Sequence, residues 1–147
     1  MTSNPPRVDP ALISALRADL HTSQFTVAGV LDLLGPMAAA ALDREQALPV
    51  QRVTAATDAP CGTLIRLFTL GDPVDAAEAL GLLAPEGDGV VALCDLRPYA
   101  GDDVDWWVAS DLDELATRRP VRQDHVLGIG GASTTLASWT PRPRVAR

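Results

Sequence analysis

Few residues of this chain have the type and spacing for chemistry. Asp102, Asp103 and Asp105 bring three carboxylates together, and carboxylates bind hard cations, but the run lacks the glycine and closing Glu of a calcium loop. It reads as a solvated acidic loop. His21 and His125 stand most of the chain apart, and neither Cys61 nor Cys94 lies at ligand spacing from them, so no zinc site is assigned. The same separation leaves no Cys-His nucleophile pair to assign. Asn4-Pro5-Pro6, followed by Arg7, sits in a polar, proline-rich start and is assigned no role.

Gly128-Ile129-Gly130-Gly131 invites comparison with a glycine loop whose amides hold an anion at a helix start. Only sixteen residues follow it, too few for a βαβ unit of about 30 residues. The glycines are therefore read as a sharp turn, with Ser133 or Thr134 capping a helix through Leu136 and Trp139. Trp106 and Trp107 are consecutive, so in a strand they point to opposite faces and one of them is expected to face a partner or a lid. The candidate set is Trp106, Trp107, Asp124, His125, Gly128, Gly130, Gly131, Ser133 and Thr134, as residues bordering a domain interface or a ligand. No catalytic, cofactor-binding or metal-ligating residue is assigned.

These residues need a scaffold. The predicted fold class is α+β: an N-terminal helical cluster, then a winged-helix-like module with a small antiparallel sheet. Residues 1–9 are polar and proline-rich and are expected to be disordered. Residues 10–59 form the helical cluster. Leu12, Ile13, Leu16 and Leu20 recur at helical spacing over about 10–22. Thr26 caps a second helix that ends at Gly35-Pro36, Pro36 opens a third through Leu42, and Pro49 interrupts before a stretch over Val50 to Ala56. Residues 60–123 read as helix (Thr63 to Leu70), turn, helix (Val74 to Leu80), a hairpin turning at Glu86 to Gly89, and strands at Leu96 to Tyr99 and Asp105 to Ala109, packed with the cluster as one domain. Residues 124–147 are a glycine-rich turn, a short helix and an Arg/Pro linker.

Charge narrows the function. Of 147 residues, twelve are Arg and none is Lys, and the net charge is -7. Residues 72–114 carry twelve acids against the single Arg97, while residues 118–147 carry six Arg against the single Asp124. Phosphate binding needs clustered cations, and the second helix of the winged-helix layout offers Asp75 and Glu78 to a groove instead, so DNA recognition is not expected. No apolar run approaches the ~20 residues of a membrane span. Two distant cysteines without a signal peptide fit reduced thiols and a cytoplasmic location.

Seven blocks carry a resemblance: LRADL (16–20), TVAGVLDLLG (26–35), AALDRE (40–45), LIRLFTLG (64–71), DLRPYA (95–100), DWWVASDL (105–112) and DHVLGIGGASTTLA (124–137). Together they resemble the N-terminal region of bacterial, actinobacterial-type class I S-adenosylmethionine-dependent methyltransferases, similar in their catalytic part to the small-methyltransferase and glutamine-N-methyltransferase-like family. The resemblance implies an accessory domain that recognises substrate or packs on a catalytic Rossmann-like domain encoded beyond Arg147. It also implies S-adenosylmethionine as cofactor of the full-length protein but none in this chain. The expected partner is the protein's own C-terminal methyltransferase domain, with no membrane. The alternative is a stand-alone winged-helix regulatory or protein-interaction module.

Overall fold

A computed structural model describes residues 9–74, 83–86, 89–101 and 104–141. Helix α1 (Pro10–Thr22) starts where the sequence dictates, because Asp9 accepts hydrogen bonds from the Ala11 and Leu12 amides and Pro10 needs no donor partner in the first turn. Thr26 accepts from the Gly29 amide at 3.1 Å and opens α2 (Val27–Leu42). As expected, this stretch is two helical pieces divided at Gly35-Pro36: Gly35 takes φ 65° and ψ 171°, a non-helical conformation open to glycine, and the second piece starts at Pro36.

Pro49 does not interrupt. It occupies the first turn of α3 (Ala47–Ala55), where its missing N–H costs no hydrogen bond. Helix α4 (Pro60–Leu64) runs on into a π-helical turn over Ile65–Thr69, earlier and wider than the expected helix from Thr63. The expected helix from Val74 to Leu80 falls, beyond Val74, outside the described residues.

Two antiparallel hairpins follow, β1 (Leu83–Glu86) with β2 (Gly89–Ala92), and β3 (Asp95–Gly101) with β4 (Val104–Ser110). In the second, Tyr99 stands opposite Trp106 and Pro98 opposite Trp107. A short helix that the sequence reading missed, α5 (Glu114–Thr117), is capped by Asp113, and α6 (Gly131–Trp139) closes the described chain. The class is α+β.

One core joins both halves. Leu20, Phe25, Leu34 and Val50 from the helical half meet Ile65, Phe68 and Leu96 from the other, all nearly inaccessible to solvent. The Phe25 and Phe68 rings lie 6.3 Å apart, tilted by 43°. Sealing each such side chain contributes about 1.5–3 kcal/mol, and β3 is held on the π-helical turn by this packing. Among the described residues no single helix is long and apolar enough to cross a membrane.

Candidate functional site

A cleft of about 390 Å³ opens beside β3. Its apolar wall is the face of α2 bearing Val27, Val30, Leu31 and Leu34; the opposite wall is Arg97, Pro98 and Tyr99 with the turn Ile129 to Gly131; Asp43 and Glu45 lie at the turn after α2.

Arg97 organises the polar side. Its Nε lies 2.8 Å from Asp95 and its Nη2 2.7 Å from Asp113, so one guanidinium holds two carboxylates and ties β3 to the cap of α5. Burial pushes the Asp95 carboxyl up to about 6, outweighing the opposing pull of Arg97. Burial also disfavours the Arg97 cation, but Asp95 and Asp113 outweigh it and hold the group charged. Counting Asp43 and Glu45, the cleft is net acidic.

Sequence reading had passed over Asp95, Arg97, Tyr99 and Asp113 as site residues. The signal was present in Arg97 as the lone base among twelve acids.

The predicted site residues are divided by the structure. Gly128 packs against Ser110 and Tyr99, and the Tyr99 hydroxyl donates to the Ile129 carbonyl at 2.8 Å, so the glycine turn is docked on β3 and β4. Gly130 and Gly131 line the cleft. Ser133 and Thr134 do not cap α6: the N-cap is Gly130, and the Thr134 hydroxyl donates back to the Gly131 carbonyl at 2.9 Å. With glycines at its first positions the helix begins three residues earlier than a hydroxyl cap would allow. Asp124 is exposed and paired with Arg122 at 2.6 Å, which holds its carboxyl below the usual range. His125 is half-buried, and its amide donates to the Arg122 carbonyl.

The tryptophans part as the strand rule requires. Trp107 turns inward, its Nε1 donating to the Phe25 carbonyl at 2.7 Å and its ring meeting His21 edge-on at 4.7 Å. Trp106 is 56% exposed. Both border a second groove of about 560 Å³, between α1 and β4. Of the candidates, Gly130 and Gly131 line the first cleft and Trp106 and Trp107 the second, while Asp124, His125, Gly128, Ser133 and Thr134 line neither.

Neither cysteine is poised to attack. Burial raises the Cys61 thiol, and burial with Asp95 and Asp111 pushes Cys94 up to about 11, so both stay protonated near neutrality. Among the described residues no group of three or more His, Cys, Asp or Glu could hold a metal ion; Asp102 and Asp103 lie outside them.

A family described as "Domain of unknown function (DUF7059)" matches residues 22–105, more than half of the chain. The match runs from the end of α1 into the start of β4. No curated protein and no solved structure matches.

Proposed function

The chain belongs to the DUF7059 family, a domain of unknown function, and from its residues we propose that it is the N-terminal substrate-recognition and packing domain of an S-adenosylmethionine-dependent methyltransferase. The catalytic Rossmann-like domain would lie outside this chain. The seven-block sequence resemblance supports the enzyme class. The observation that carries the packing role is α6 and the turn before it: Leu127 is 78%, Leu136 70% and Trp139 83% exposed, and no residue of the helix is buried. A nine-residue helix without a buried face is marginal in water, and a second domain laid over it would supply the missing cover.

The residues of this chain do not by themselves fit the methyl donor. The cleft beside the glycine turn is bounded by Asp43 and Glu45, and its guanidinium already holds two carboxylates, so it offers no strong partner to the donor's own carboxylate. The role left to this domain is to bring and orient the acceptor, and orientation is a large part of the barrier in a two-reactant transfer.

The test has two parts. Titration calorimetry of this chain with S-adenosylmethionine is expected to give no binding heat, and the codons after Arg147 are expected to encode a strand followed by an Asp-x-Gly-x-Gly loop. Tight donor binding by this chain, or a stop codon at that point, overturns the reading. Salt-dependent DNA retention would favour the stand-alone winged-helix module instead.

A further inference from the structure

The cleft beside β3 is built to select by charge. The piece of α2 before Gly35 gives it an apolar wall, in which Leu34 is buried and Leu31 stands 51% exposed; the piece after Gly35 runs out beside it in Asp43 and Glu45. Main-chain bonds set that turn: the Glu45 amide donates to the Leu42 carbonyl and the Gln46 amide to the Ala41 carbonyl, both at 2.9 Å, with Glu45 at φ 57°. The backbone carrying both carboxylates is therefore fixed before any ligand arrives.

The charge of these two groups is unspent. Neither side chain belongs to an ion pair or a hydrogen bond found among the described residues. Arg44 stands between them in sequence but does not line the cleft, and it donates to Gln46 at 3.4 Å. Helix α2 brings its negative end to the same place, with no base in its last turn to offset it. Arg97, the cation in the lining, already holds Asp95 and Asp113. An anion entering the cleft meets uncompensated negative charge, whereas a cation meets two carboxylates without partners. Size and wall decide the rest. A volume of about 390 Å³ with mainly apolar walls and a few polar groups is that of a small-molecule site, typically about 300–1,000 Å³, and a hydrocarbon body laid on Leu31 would take its exposed surface out of water.

We propose that this cleft binds a small organic cation, an ammonium or guanidinium on an apolar body with no carboxylate of its own, the body lying against Leu31 and Leu34 and the charge beside Asp43 and Glu45. The lack of a carboxylate separates this ligand from the methyl donor. The inference deepens the acceptor-positioning role proposed above and rests on that reading for the ligand's use, while the binding itself stands on the cleft.

Amide NMR titration of the full 147-residue chain tests it, with phenethylamine as the cationic probe and phenethyl alcohol and hydrocinnamate as its neutral and anionic counterparts. Phenethylamine is expected to shift the signals of Leu31, Asp43, Glu45 and Gly131 saturably and to bind about ten-fold more tightly than the alcohol, the order that two partly exposed ion pairs supply, with hydrocinnamate weakest. The double variant D43N/E45Q should lose that preference and keep the alcohol's affinity, and Leu31→Ser should weaken both probes alike. Asp43 and Glu45 are exposed, so the fold should survive, and circular dichroism checks this. No saturable shift with phenethylamine, hydrocinnamate binding as tightly, a preference that survives in D43N/E45Q, or shifts confined to Trp106 and Trp107 each overturn the proposal. Any of these leaves the methyltransferase reading standing, since the codons after Arg147 test that separately.

Discussion

The interior from Leu20 to Leu96 and the segment from Asp124 to Trp139 are built on opposite principles. In the first, Phe25, Ile65, Leu67 and Phe68 are fully enclosed, and four helical elements and β3 converge on them. In the second, large apolar groups face outward, and the segment is anchored to the body by hydrogen bonds: the Asp111 amide to the Val126 carbonyl, the Val126 amide to the Asp111 carboxylate, and the Tyr99 hydroxyl to the Ile129 carbonyl. Burial, which is worth more per group than a net hydrogen bond of about 1 kcal/mol, makes the interior a single cooperative unit. The few bonds on the C-terminal segment fix its position while leaving its apolar surface unspent. The contrast teaches that stability and availability are divided between the two regions.

The division can be broken most severely from the interior. Phe68→Ala should cost about 3–5 kcal/mol in urea unfolding, by lost transfer energy and the cavity left beside Phe25; a cost below about 1 kcal/mol would mean the core is not packed as described.

The polar bridge gives a pH signature. The Asp95 carboxyl lies at about 6 when folded, raised by burial, against about 3.9 unfolded, so the folded chain holds this proton more tightly. Its contribution is fully present below about pH 4 and is lost as pH rises through 6, a swing of at most roughly 3 kcal/mol. Asp95→Asn should flatten that part of the profile, read as the difference between variant and parent from about pH 4 to pH 7.

Trp107→Phe sharpens the boundary between α1 and the sheet. It keeps the ring but removes the donor to the Phe25 carbonyl, and thermal or urea unfolding should show a loss of about 1 kcal/mol. Smallest of all, Trp139→Ser should shift stability by less than about 0.5 kcal/mol while lowering the tendency of the chain to aggregate in light scattering. A large destabilisation there would erase the distinction between the two regions.

Periodicity and caps made much of this legible in advance. Pro10 and Thr26 marked helix starts, though the Asp9 cap went unread, and alternation with Gly-rich turns located both hairpins. Pro49 misled because proline is tolerated in a first turn, and α5 was missed because four residues with one Asp cap give too short a pattern. Of the site, the partly exposed Trp was legible, whereas the docking of the glycine turn on β3 and β4 was not. The Asp95–Arg97–Asp113 bridge was not, because its outer carboxylate lies sixteen residues from the guanidinium it meets.

The sequence by itself determined the α+β class, the opposed faces of Trp106 and Trp107, and the polarised charge, since each follows from neighbours along the chain. Only the tertiary structure decided which tryptophan turns inward, and that Gly130 and Gly131 line one cleft while Trp106 and Trp107 border another. Those outcomes depend on which distant surfaces exclude water from one another, and no local pattern encodes that choice.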